Sequence, residues 1–351
     1  MTGLRIAMIA PPWLELPPTG YGGTEAMCAH LVEQLTARGH EVVLVGVGRN
    51  GTSAARFIPT YRTPQCARMG QNTPEVVHAA ELTAILSEVD ADVVHDHSFA
   101  GPLLARGRAE PTVVTAHAPV TGEMGRYYRG LGDSVHLVAV SDAQRAAAAD
   151  LNWVATIHNA VPVESFPFRR DKEDYAVFLG RTTPEKGIPE AIAAAADAGV
   201  PLRIAAKCRE PEEHRYFREV VEPLLGDGVE WLGEVGCREK PGLLAAARCL
   251  LFPIQWDEPF GMVMVEAMAC GTPVVALRRG SVPEVVAHGD TGFVCDTHDD
   301  LVAALHRVGD LSPDRCRAEV QRRFDVTTMA AHYEQVYRSV LSPSRWTGRA
   351  V

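Results

Sequence analysis

Short runs rich in Val, Ile and Leu, each too brief for a helix of ordinary length, recur along this chain with Ala-rich helical stretches between them. Runs that are apolar throughout belong to strands buried on both faces, and the intervening helices supply the cover, so the pattern specifies parallel sheets in an α/β fold. LRIAMIA (4–10), EVVLVGV (41–47), DVVHDH (92–97), TVVTAH (112–117) and VHLVAVS (135–141) read as strands of a first unit. Between the first two, TEAMCAHLVEQLTARG gathers Met27, Leu31, Val32 and Leu35 on one helical side and stops at Gly39. The rhythm restarts at YAVFLGR (175–181) and continues through PLRIAA, VEWLG, CLLFPI and TPVVAL.

A chain of 351 residues exceeds one ordinary hydrophobic core, which agrees with the restart. Between the two series lies IHNAVPVESFPFRRDKED (157–174), with Pro162, Pro167 and a dense charge run, the composition of an exposed connector. The boundary is therefore set at Val163, giving a first domain over 1–163, a second over 164–328 and a closing segment over 329–351. TTMAAHYEQVYRSVL is a helix whose apolar face needs a partner, expected on the N-terminal domain, and SPSRWTGRAV reads as a frayed tail.

The net charge of -10 argues against nucleic acid or an anionic membrane as the main partner, because both are polyanions. An anionic ligand must then be held by a local cluster of cations. No apolar run approaches the roughly 20 residues of a membrane span. The first ten residues begin like a strand, without a signal-peptide core. Eight cysteines are scattered singly, with no paired spacing, as expected of thiols in a reducing cytoplasm and not of disulfides or zinc ligands. The expected location is cytoplasmic, with no metal.

The chemistry is concentrated in WDEPFGMVMVEAMACG (256–271), a turn leading into an apolar helix that nonetheless carries Glu266. In open α/β sheets ligands sit beyond the carboxyl ends of the strands, at such strand-to-helix junctions. Gly261 admits a close backbone approach, and the amides of Met262 and Val263 at the helix start form an anion site. Glu258 lies in the turn. Glu266, about one and a half turns further, can reach a polyol beside the anion, since a carboxylate offers two acceptor oxygens to two hydroxyls. FLGRTTPEKGIPEAI places Arg181 and Lys186 in the loop after the first strand of the second domain, directly before a helix, where two fixed cations supply the local positive cluster that an anionic ligand requires.

PPTGYGGTEAMCAHL is glycine-rich and opens a helix, but Glu25 stands where a dinucleotide fingerprint needs its third glycine. What remains is the Gly22–Gly23 backbone with Thr24 opening a helix, able to approach phosphate. Ser281 and Glu284 fit an S-x-x-E capping box. Asp90 and Asp92 resemble a metal-binding D-x-D, but they precede a strand and are rejected as a site.

The forty-odd residues PIQWDEPFGMVMVEAMACGTPVVALRRGSVPEVVAHGDTGFVC resemble the donor-binding half of retaining GT-B glycosyltransferases of family 4, the glycogen-synthase-like group. Glu258 and Glu266 match its E-x7-E motif, and Arg181 and Lys186 its G-R-x4-K-G pattern. The resemblance, over roughly residues 5–340, implies two Rossmann-like, doubly wound domains facing across a cleft. It implies that Glu258 faces the donor sugar hydroxyls, Glu266 the ribose, and the Phe260, Gly261, Met262 and Val263 backbone the diphosphate, with Arg181 and Lys186 stabilising the leaving group. His117 matches the family's T-x-H, which implies a hydrogen bond to the donor sugar. His95 and His97 match an H-x-H; His95 is read as structural and His97 is left open. The Gly22, Gly23 and Thr24 loop is implied to border diphosphate and acceptor, and loops near Lys207 and Val235 the base. The implied activity is metal-free, cofactor-free transfer, with retention, from a nucleoside diphosphate sugar to a small-molecule or saccharide acceptor. The alternatives are a sugar-nucleotide epimerase or phosphorylase on the same fold, or a catalytically silent nucleotide-sugar binding module. Base, sugar, acceptor and oligomeric state are left open.

Overall fold

The structure, a computed structural model, describes residues 3–20 and 22–342. The chain divides into two units, one running to Asn159 and resuming at Val326, the other spanning Ala160–Asp325.

The first unit is built on seven parallel strands, β1 (Arg5–Ile9), β2 (Glu41–Val47), β3 (Arg56–Tyr61), β4 (Val93–Asp96), β5 (Thr112–Ala116), β6 (His136–Ala139) and β7 (Trp153–Thr156), in the order β3-β2-β1-β4-β5-β6-β7. The second has six, β8 (Ala176–Arg181), β9 (Leu202–Lys207), β10 (Val229–Gly233), β11 (Cys249–Phe252), β12 (Val274–Leu277) and β13 (Gly292–Cys295), in the order β10-β9-β8-β11-β12-β13. In both sheets the strand order reverses beside the first strand. That reversal opens a crevice at the carboxyl ends of β1 and β4 in one unit and of β8 and β11 in the other.

Three strands escape the reading of apolar runs. β3 contains Pro59, which breaks a strand pattern; it is tolerated because β3 is an edge strand. β7 is a short, half-buried edge, and β13 has only four residues. The helix Gly23–Ala37 buries Met27, Leu31, Val32 and Leu35. The core of the second unit joins Phe178, Ile204, Leu251 and Val275 to the helix residues Ile188, Ala191 and Leu305.

The units part a few residues from the expected 163 and 328. The Val161 amide donates to the Phe324 carbonyl at 3.0 Å and Arg317 donates to the Val163 carbonyl at 3.1 Å, so 160–163 is tied to the second unit. The closing helix, Val326–Leu341, belongs to the first, where Tyr333 and Tyr337 are fully buried. The tail from Pro343 onward lies outside the described residues. Among the described residues no helix is long and apolar enough to cross a membrane.

Candidate active site

In the second unit β8 and β11 deliver their following loops to one crevice. Lys186 Nζ donates to Glu258 Oε2 at 2.6 Å, and Trp256 Nε1 donates to the same oxygen at 2.9 Å. The ammonium also lies 5.1 Å from the Trp256 ring centroid, a cation–π distance. Both partners of the ion pair have side chains only 13% exposed, so their attraction is less screened than that of a surface pair.

Two glycines make this approach possible. Gly187 has φ +76°, and a Cβ there would fall 2.1 Å from the Pro253 carbonyl oxygen, so only glycine lets the Lys186 loop close onto the end of β11. Gly280 has φ +49°, and its Cβ would meet the Glu258 carbonyl oxygen at 2.3 Å. The next residue completes the clamp. The Ser281 amide donates to Glu258 O at 3.0 Å and its hydroxyl to Phe260 O at 2.8 Å. Ser281 does not cap the following helix, whose start has no side-chain cap bond; its hydroxyl is turned toward the glutamate turn instead. The helix Met262–Ala269 begins from Gly261 in the left-handed region, with Met262 and Val263 in its first turn.

Arg181 ends β8, and its Nε donates to Glu213 Oε1 at 2.8 Å. Burial opposes ionisation of Glu213, but hydrogen bonds with the Glu210 side chain, the Arg209 and Glu210 amides and Arg181 hold it down to about 2. Lys207, at the end of β9, donates to Glu210 Oε2 at 2.7 Å and lies 3.8 Å from Glu213. Glu266 accepts from Lys240 Nζ at 2.6 Å. Val235 is half-buried in the loop after β10. Thus Lys186 and Glu258 are brought into direct contact, whereas Arg181 and Glu266 are each engaged by a residue the sequence reading passed over.

The first unit presents a different set. His95 Nδ1 pairs with Tyr337 Oη at 2.7 Å and its Nε2 with Thr115 Oγ1 at 2.9 Å, which ties β4 and β5 to the closing helix and gives His95 a structural role. His97 Nδ1 lies 3.0 Å from His117 Nε2, and His97 Nε2 lies 3.1 Å from Met8 Sδ. Burial lowers His95 to about 3 and His117 to about 4, and holds His97 well below its ordinary value, so all three rings are neutral near pH 7. Beside them Asp96 Oδ1 accepts from the Ser98 amide and hydroxyl, while Oδ2 has no hydrogen-bond partner among the described residues. Burial raises Asp96 to about 7, against the pull of those bonds, and raises Glu25 to about 7 as well.

Gly22 is extended, and a Cβ on it would meet the Leu14 Cδ1 atom at 2.6 Å, so here the glycine answers to packing. The helix starts at Gly23, which puts Thr24 inside its first turn and not at its opening. Asp92 accepts from the Arg5 amide at 2.7 Å, and Asp90 pairs with the Arg5 side chain. Both lie at the start of β4, the opposite end from the crevice.

The model of group 1 glycosyl transferases matches residues 164–323, and that of glycosyltransferase family 4 matches residues 21–165. The chain is 30% identical over 380 residues to a phosphatidyl-myo-inositol mannosyltransferase of Mycolicibacterium smegmatis, across 96% of this chain and 94% of the relative. The chain belongs to the group 1, family 4 glycosyltransferases. A glycogen synthase of Mycobacterium tuberculosis is 29% identical over 403 residues, 95% of this chain and 94% of that one. A solved glycosyltransferase involved in avilamycin A biosynthesis matches with a TM-score of 0.73 and 27% identity, over 97% of this chain and 99% of that chain. The fold is GT-B, and the relatives support glycosyl transfer and neither epimerisation nor a silent binding role.

In this glycosyltransferase several site neighbours carry weak sequence signals. Trp256 stands two residues before Glu258. Glu213 falls three residues after Glu210, a spacing that signals a helix start, and a capping box is present. Lys240 sits in an ordinary charged segment and Met8 inside an apolar strand; neither is marked by local pattern.

Proposed function

We propose that this glycosyltransferase moves a sugar from a nucleoside diphosphate sugar to a hydroxyl of a small-molecule or saccharide acceptor, with retention at the anomeric carbon and without a metal. Arg181 and Lys186 neutralise the departing diphosphate, assisted by the backbone at Phe260, Gly261, Met262 and Val263. Glu258 takes sugar hydroxyls and Glu266 the ribose. Loops at Lys207 and Val235 flank the base, the Gly22–Thr24 turn borders phosphate and acceptor, and His117 meets a sugar hydroxyl. The bond from the anomeric carbon to the phosphate oxygen breaks with its electron pair going to the diphosphate. The acceptor oxygen bonds to the same face of that carbon, and its proton passes to the leaving oxygen. No side chain is needed as a covalent nucleophile.

The observation that carries this reading is the 2.6 Å contact of Lys186 with Glu258 where the strand order reverses, next to a helix start at Gly261. A cation and a carboxylate in contact offer one partner for phosphate and one for a hydroxyl. The eight free cysteines agree with a cytoplasmic location. The test is incubation with UDP-, GDP- and ADP-glucose and GDP-mannose, following release of the nucleoside diphosphate with and without chelator. Release that persists in chelator is expected. Release abolished by chelator and restored by magnesium would remove the metal-free step, and inertness toward donors that do bind would remove the transferase reading.

A further inference from the structure

His97 is buried, and each of its ring nitrogens faces one group. The group at Nε2 is the Met8 thioether at 3.1 Å, which accepts but cannot donate. A neutral His97 must therefore carry its proton on Nε2, because two lone pairs at that distance would repel. Its Nδ1 is then an acceptor. The neighbour at 3.0 Å is His117 Nε2, which must donate, so His117 bears its proton on Nε2 and a bare lone pair on Nδ1. Burial keeps both rings neutral, which removes the alternative of a charged donor. His95 packs against His97 with ring centroids 4.0 Å apart and is itself fixed at both nitrogens, so the His97 ring has a rigid backing.

We propose that His97 is a positioning residue: with Met8 it locks His117 in the Nε2-protonated form, so that His117 Nδ1 accepts from a hydroxyl and turns away phosphate oxygens. The ligand half rests on the proposed sugar contact of His117; the tautomer half does not. Met8 and His97 come from β1 and from the end of β4, the two strands at which the sheet order reverses, so the lock is built into the topology of the first unit.

The test is long-range proton–nitrogen NMR on the ligand-free full chain with nitrogen-labelled histidine, near neutral pH. Wild type is expected to show His117 protonated at Nε2 and bare at Nδ1. His97→Leu, which cannot accept, should shift His117 toward protonation at Nδ1, whereas His97→Gln, whose amide oxygen can accept, should preserve the wild-type pattern. Met8→Leu conserves volume and should weaken the preference, so it carries the test if His97→Leu does not fold. His117 protonated at Nδ1 in wild type, or unchanged in both leucine variants, overturns the lock. With the donor found active among UDP-, GDP- and ADP-glucose, His97→Leu should lower kcat/KM by about tenfold, with His97→Gln close to wild type. If His117→Gln matches wild type in turnover while the NMR pattern stands, the sugar contact falls and the lock survives.

Discussion

At the ends of β8 and β11 the second unit sets lysine and arginine against carboxylates, whereas at the ends of β4 and β5 the first unit keeps its histidines buried and neutral and raises a buried carboxyl, Asp96, to about 7. The same topology therefore supports two kinds of crevice. Paired charges can change partners when an anion arrives, since an ammonium leaving a carboxylate for a phosphate keeps its compensation. Neutral groups offer directional hydrogen bonds and suit hydroxyls. The difference gives the second unit groups that can exchange one charged partner for another, and the histidines of the first unit groups that can exchange only hydrogen bonds.

The largest expected effect tests the charged side. Lys186→Ala should lower kcat by about a hundred- to a thousandfold, the usual consequence of deleting one group that stabilises developing negative charge. Stability should fall by only about 1–2 kcal/mol, less than for a fully buried pair. Glu258 keeps its bond from Trp256, and its side chain retains some access to water. Steady-state kinetics and thermal unfolding of the same preparation check it. Activity within severalfold of wild type would mean that this ion pair is only structural, and the contrast between the crevices would lose its functional meaning.

The neutral side is sharpened by pH. Asp96 is raised to about 7 from an ordinary value of 3.8, so its contribution is fully present below the unfolded value and is lost as pH rises through about 7. Asp96→Asn removes that loss. Relative to wild type, the variant should be about 2 kcal/mol more stable at pH 8 than at pH 5. The buried histidines have the opposite sign, because their pKa values are lowered. Their contribution is present above about pH 6.5 and is lost as pH falls toward 4. Urea unfolding of both proteins at the two pH values measures the difference, and equal shifts would show that Asp96 is ionised at no cost.

How much of each crevice could be read from sequence follows from the same contrast. Glu258, Glu266, Arg181 and Lys186 lie in local, glycine-bounded patterns, where spacing along the chain fixes spacing in space. Both sheets were legible from apolar runs, apart from the short or edge strands β3, β7 and β13. Lys240 lies 26 residues from Glu266, and Met8 lies 89 residues from His97, so these contacts exist only once the sheets are assembled. Ser281 was misread for another reason. Its spacing to Glu284 satisfies a helix-capping rule, but its backbone is already αR, its hydroxyl is turned toward the Phe260 carbonyl, and its oxygen accepts from no amide of the helix start.

Lys240→Met should act more mildly than Lys186→Ala, through binding and not through the reacting centre. Without its ammonium, Glu266 loses a 2.6 Å partner and the restraint on its rotamer. The KM for the donor should rise by about tenfold with little change in kcat, since one charge-assisted bond is worth about 1.5 kcal/mol. Loss confined to kcat would move Lys240, and Glu266 with it, from ribose binding toward the departing phosphate.

The smallest effect is expected at Ser281, and it separates a hydroxyl that holds a loop from one that joins the chemistry. Ser281→Ala removes the 2.8 Å bond to the Phe260 carbonyl but leaves the Ser281 amide on Glu258 O and the close packing of Gly280. A buried carbonyl that loses one donor costs about 1 kcal/mol, or roughly 2–4 °C in Tm for a unit of this size. The glutamate turn keeps its backbone restraints, so turnover should fall by no more than severalfold. A hundredfold loss with an unchanged Tm would instead put the hydroxyl in contact with substrate. Lys186 and Glu258 would then share the charged crevice with a neutral donor, and the two units would differ in degree and not in kind.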